Sequence, residues 1–166
     1  MEDAQFWSLI AESKRGAQDC DQQAERLRNL LVSLSPEEIY DFDRHFARRH
    51  AQAYHWDLWA VAYIINGGCS DDGFAYFRCW LIGQGQKAFE MALASPETVG
   101  DLVQGEEPDI ECEALLYAAG EAYEYVTGRY LPEREGGFSL SEPSGERWEE
   151  DDLPRLYPRL CERFWR

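Results

Sequence analysis

The sequence predicts an all-α fold, a single domain over residues 1–166 arranged as a multi-helix bundle around a central buried helical hairpin. A surface loop is expected at 129–148 and a helical tail at 149–166. Three observations carry this reading. Apolar residues recur at three- and four-residue steps through most of the chain, which places them on one side of a helix. Helix-start signatures, "SPEE" at 35–38 foremost, stand ahead of apolar stretches, and glycines follow those stretches. The run "LWAVAYII" is apolar on every face, as in a helix surrounded by protein.

Taken in order, Phe6, Trp7, Leu9 and Ile10 share a side of a first short helix from Asp3 to Lys14, with Asp3 as its expected N-cap. Ala24, Leu27, Leu30, Leu31 and Leu34 mark a second amphipathic helix. In "SPEE", Ser35 caps orphan amides, Pro36 suits the first helical position and Glu38 completes a capping box. A long third helix is expected from there, charged in its first half, apolar in its second and stopped by Gly67 or Gly68 in the left-handed conformation. Ser70 then caps a fourth helix that carries Asp71 and Asp72 at the positive end of its dipole. Gly83 and Gly85 permit a close helix approach or a bend. "SPETVGDLV" at 95–103 starts a short helix, and residues 110–126 form another that ends at Gly128. Tyr130, Phe138 and Trp148 are the expected anchors of the following loop. Pro158 should split the tail into two helical pieces, with Leu156, Leu160 and Phe164 on one face.

The balance of 16 basic against 32 acidic residues, a formal charge of −16, disfavours docking on nucleic-acid phosphates or anionic lipid and suits a partner with a basic surface. The start "MEDAQFWSLI" lacks a basic n-region, and no apolar run reaches the roughly 20 residues of a membrane-spanning helix. Five cysteines, an odd number without a C-x-x-C pair, predict reduced thiols, no structural disulfide and a cytoplasmic location.

The residues with the strongest claim to chemistry lie in "WDLWAVAYIINGGCSDDGFAYFRCWLIGQG" at 56–85. Asp57 sits between Trp56, Leu58 and Trp59, where a buried carboxylate needs a partner, and folding back at 68–70 brings Arg78 opposite it. The expectation is a buried Asp57–Arg78 pair that fixes the hairpin register. The rival expectation leaves Arg78 partly free to grip an anion beside Asn66, Asp71 and Asp72. Cys69 precedes a helix N-terminus, yet Asp71 and Asp72 disfavour its thiolate. His45, His50 and His55, five residues apart, turn by about 140° per step on one helix and cannot share a metal. Neither a metal site nor a cofactor site is expected.

The run at 56–85, with "ECEALLYAAGEAYE" at 111–124 and "EPSGERWEEDDLPRLYPRL" at 142–160, resembles a bacterial family, domain of unknown function 4240. The resemblance implies a bacterial cytoplasmic setting and carries over no catalytic set. The leading functional expectation is therefore an acidic binding or regulatory module that recognises a protein or small ligand near the hairpin, through Trp56, Asp57, Trp59, Asn66, Asp71, Asp72 and Arg78. The alternative is a small enzyme with a carboxylate and arginine pocket at Asp57, Asp71, Asp72 and Arg78. A third reading is an immunity-like or nucleic-acid-mimicking protein that occupies a basic partner's site.

Overall fold

The computed structural model of the chain describes residues 1–134 and 141–165, and its secondary structure is all-α as the sequence predicts. Helix α1 (Asp3–Lys14) buries Phe6, Trp7 and Ile10. Its N-cap is Glu2, and Asp3 instead uses its first-turn position to pair with Arg49 at 3.0 Å. Helix α2 (Cys20–Leu31) is capped by Asp19, whose carboxylate accepts from the Gln22 amide at 2.8 Å. Helix α3 (Pro36–Gln52) starts with the full capping box of Ser35 and Glu38.

The expected long third helix is two helices. Helix α3 stops at Gln52, and α4 (Trp56–Asn66) starts after a break at residues 53–55. His55 is extended there, and its Nδ1 accepts from the Asp57 amide at 3.0 Å, so the histidine caps α4. A distant loop residue completes the break: the Ser144 amide donates to the Tyr54 carbonyl and the Trp56 amide to the Ser144 carbonyl, both at 2.9 Å. These bonds satisfy backbone groups that a continuous helix would have satisfied internally. Without proline or glycine at the break, no local signal marks it.

The hairpin follows the sequence closely. Gly67 (φ 68) ends α4 in the left-handed conformation, Gly68 (φ 126) continues the reversal, and the Ser70 hydroxyl accepts from the Gly73 amide to start α5 (Asp71–Gly83). Leu58, Ala60, Val61, Ala62, Ile64 and Ile65 of α4 are all buried. Gly83 closes α5 where a Cβ would meet Leu115 Cδ1 at 2.8 Å, so glycine permits the close approach there.

Helix α6 (Gln86–Ala94) leads into a 3-10 helix (Pro96–Leu102). Helix α7 (Ala114–Thr127) begins later than the expected residue 110, because residues 110–113 run as coil along α2 and α5. It ends at Gly128 (φ 70) and packs along α2 and α3. The tail is broken as Pro158 requires: a 3-10 turn (Glu150–Asp152), α8 (Leu153–Leu156) and α9 (Pro158–Phe164). Its buried contacts come from Leu153, Leu160 and Cys161, whereas Leu156 is exposed.

Buried side chains from α1 through α9 form one connected hydrophobic cluster. Of the three expected loop anchors, Trp148 packs on it, Tyr130 is 85% exposed and anchors nothing, and Phe138 lies outside the described residues. One cysteine expectation is overturned: Cys20 and Cys112 form a disulfide across 92 residues, while Cys69, Cys79 and Cys161 keep free thiols. The fold sets the start of α2 against the coil ahead of α7, and this juxtaposition is not encoded in cysteine spacing. Among the described residues, no helix is long and apolar enough to cross a membrane.

Candidate functional site

Arg78 is 7% exposed, but its partner is not Asp57. Its Nη1 donates to the His50 carbonyl at 2.8 Å and meets His50 Nδ1 at 3.3 Å. The guanidinium lies 4.4 Å from the Tyr54 ring centroid and 4.9 Å from that of Phe74. His50 Nε2 sits 2.9 Å from the Ala75 carbonyl, which assigns the proton to Nε2 and leaves Nδ1 to accept from Arg78. Burial, reinforced by Arg78, lowers the His50 pKa to about 4 and keeps the ring neutral. Burial also lowers the Arg78 pKa to about 10.

The side chain of Asp57 is 49% exposed, so the expected buried Asp57–Arg78 pair is corrected on both counts. The break at residues 53–55 redirects α4 and leaves Asp57 as a first-turn acid, 3.8 Å from His55 Nδ1. Its charge is felt instead at Tyr157, whose pKa burial and then Asp57 push to about 12. The carboxylate buried against an arginine is Asp43, clasped by Arg134 through Nε at 2.7 Å and Nη2 at 3.0 Å.

Trp56, Trp59 and Phe74 stack in sequence, with centroids 5.3 and 5.0 Å apart and planes within 9° of parallel. The Trp59 indole donates to the Cys69 carbonyl at 2.9 Å, and the Trp148 indole donates to the Trp56 carbonyl at 2.6 Å. Asp71 accepts from the Tyr54 hydroxyl at 3.3 Å. The structure therefore joins Trp56, Trp59, Asp71 and Arg78 in one aromatic and guanidinium stack in which Arg78 Nη1, the Trp59 indole and Asp71 are hydrogen-bonded within the fold, while Arg78 Nε is buried without a partner. Asp72 bears on Tyr76, on the other side of α5, and Asn66 lines a separate groove of about 510 Å³ with Gly105, Arg163 and Phe164. The Cys69 thiol, pushed to about 12 by burial, Glu111 and Asp71, stays protonated and is a poor nucleophile.

A different concavity, of about 830 Å³, opens where the start of α2, the outer face of α5 and the coil ahead of α7 meet. Asp19 and Asp21 line it from α2, Asp109, Glu111 and Glu113 from the coil, and Tyr76 and Tyr117 from α5 and α7. Cys20 belongs to the same wall, so the disulfide joins the two acidic segments. The Cys112 amide donates to the Tyr76 carbonyl at 3.0 Å and fixes the coil on α5. No lysine or arginine is among the lining residues.

The electrostatic result is visible on the groups themselves. Burial and Asp109 raise the Glu111 pKa, and Glu113 raises those of both Tyr76 and Tyr117, the latter through a 3.1 Å hydrogen bond. Charge leads only at Tyr76, through Glu113; the hydrogen bond leads at Tyr117 and burial at Glu111. A smaller neighbouring concavity shares Asp19, Cys20, Asp109 and Glu111 and adds Lys14, Trp80 and Gln84 at its far side. Among the described residues no three histidine, cysteine or carboxylate side chains converge closely enough to hold a metal ion.

The overall acid excess is legible in the sequence, but this site is not. The available signal was a repeated pattern: Asp19-Cys20-Asp21 and Glu111-Cys112-Glu113 each place a cysteine between two carboxylates.

The model of a family described as "Protein of unknown function (DUF4240)" matches residues 1–125. The match contains every residue that lines the acidic basin and stops short of Trp148 and the tail motif at 142–160. Comparison with curated proteins and with solved structures finds no match.

Proposed function

The chain belongs to the DUF4240 family, whose description assigns no activity, and from the site itself we propose that it is a docking module for a basic segment of a partner protein. The observation that carries this reading is the basin wall of five carboxylates and two tyrosines without a cationic side chain. Lysine and arginine side chains entering it would pair with the carboxylates and rest on tyrosine faces. Charge spread over two chain segments suits an extended polycation better than a single ion. The basin replaces the hairpin as the recognition surface, because the Arg78 guanidinium donates to the His50 carbonyl and the Trp59 indole to the Cys69 carbonyl, while the Trp56 ring stacks on Trp59 and meets Trp148 edge-on.

The charge of −16 argues in the same direction, since it repels nucleic-acid phosphates and steers basic surfaces inward. The three free thiols fit a cytoplasmic setting, and the Cys20–Cys112 disulfide weighs against one.

Fluorescence anisotropy with a labelled octa-arginine peptide tests the proposal. Asp21→Lys with Asp109→Lys should weaken binding by about tenfold or more, as the loss of two ion pairs implies. Asp151→Lys with Glu162→Lys, which changes net charge equally in the tail, should weaken it far less. Equal weakening by both pairs would mean that net charge, not the basin, attracts the peptide.

A further inference from the structure

We infer that the Cys20–Cys112 disulfide is a redox switch for the basin, which docks the basic segment in the oxidised chain and releases it in the reduced one. This rests on the docking proposal and specifies how that site is regulated.

The geometry supplies the argument. Each sulfur lies between two carboxylates in the chain, Asp19 and Asp21 for Cys20, Glu111 and Glu113 for Cys112. The disulfide therefore holds four acidic side chains together that would otherwise repel one another. Asp109, Glu111 and Glu113 sit in or next to coil, not in a helix interior, and the chain enters that coil through Gly105 at φ 79. The coil is tied to α2 by the disulfide and to α5 by the Cys112 amide bond to the Tyr76 carbonyl. Helices α2 and α7 pack against each other and Ile110 is buried in the core, so the bundle outlasts the disulfide, and its opening lets the carboxylates at 19–21 and 111–113 spread apart. Parting the two segments dissolves the site, because neither one alone carries the full acidic wall.

Reduction is a two-electron exchange with a dithiol. One dithiol sulfur, as thiolate, attacks Cys20 Sγ, the half-buried partner, and forms a mixed disulfide, while the Cys20–Cys112 bond breaks and its electron pair leaves on Cys112 Sγ. Cys112 Sγ takes up a proton. The second dithiol sulfur then closes the reductant's own disulfide and releases Cys20 as a thiol, so two electrons and two protons have passed from the dithiol to the protein.

The test uses the full chain and the same octa-arginine peptide, before and after dithiothreitol, with far-ultraviolet circular dichroism on each form. Reduction should weaken binding by about fivefold or more with helicity retained, and Cys20→Ser should bind as the reduced chain does with or without dithiothreitol. By linkage, saturating peptide should make the disulfide harder to reduce by the same factor. Equal affinity of oxidised and reduced chains would overturn the switch and leave the docking site standing. Loss of helicity on reduction would also overturn it, since the disulfide would then hold the whole fold. If the oxidised chain does not bind the peptide at all, the docking proposal fails and the switch fails with it. Should Cys20→Ser not fold, the comparison of oxidised and reduced wild type still decides among these outcomes.

Discussion

Asp43 is 4% exposed and clasped by Arg134, while the side chain of Asp57 is 49% exposed beside His55. Removing one partner of a buried pair costs more than removing a first-turn surface acid, because the partner is left without its counter-charge. Asp43→Ala should lower unfolding free energy by about 2 kcal/mol, less than for a fully enclosed pair because Arg134 reaches solvent. Asp57→Ala should cost less than about 1 kcal/mol. Urea denaturation of the two variants decides the order, and a larger loss at Asp57 would contradict the placement of both. His50 makes a separate prediction at this scale. Its pKa is about 4 in the fold against 6.5 as its ordinary value, so below pH 6.5 the unfolded chain takes up a proton that the folded chain refuses. The resulting stability is fully present above pH 6.5 and falls as pH drops toward 4, by roughly 3 kcal/mol at most. His45, also lowered by burial, acts in the same direction, and Glu111, raised by burial, acts against it. His50→Gln should flatten the loss between pH 6.5 and 4.5, and a slope unchanged from wild type would show that other groups dominate acid unfolding.

Among the elements, the helix starts at Ser35 and Ser70 and the stop at Gly67 were legible because each is set within four residues by side-chain caps or a left-handed glycine. The break between α3 and α4 was not, since it is completed by Ser144, 90 residues from Tyr54. The same crossing explains Gly145. It has φ 88, and a Cβ there would lie 2.7 Å from His55 Nε2, so a side chain is strained by both backbone and space. Gly145→Ala should lower stability by about 1–3 kcal/mol and weaken the hold of Trp148 on Trp56. Thermal melts read the first effect, and a change in tryptophan fluorescence reads the second. A variant with wild-type melting and emission would show that the crossing does not depend on that glycine.

For the whole molecule, the acid excess read from composition becomes informative once folding shows where it gathers. Residues 19–21 and 111–113 are separated by 92 positions between their cysteines, so no local window pairs them, and the disulfide went unanticipated for the same reason. The hairpin stands out in the sequence because its aromatic and charged residues are adjacent, yet in the fold Arg78 and Trp59 donate to the backbone carbonyls of His50 and Cys69. The basin emerges from the opposite circumstance, ordinary surface acids that become unusual only when two distant segments meet. The most direct measurement of the docking claim is a two-dimensional NMR titration of the oxidised chain with the octa-arginine peptide. The largest amide shifts should fall at Asp19, Asp21, Tyr76, Asp109, Glu111, Glu113 and Tyr117, with little change at the indole signals of Trp56 and Trp59. Shifts centred on those indoles and on Asp71, with the basin signals unmoved, would contradict the account and return recognition to the hairpin.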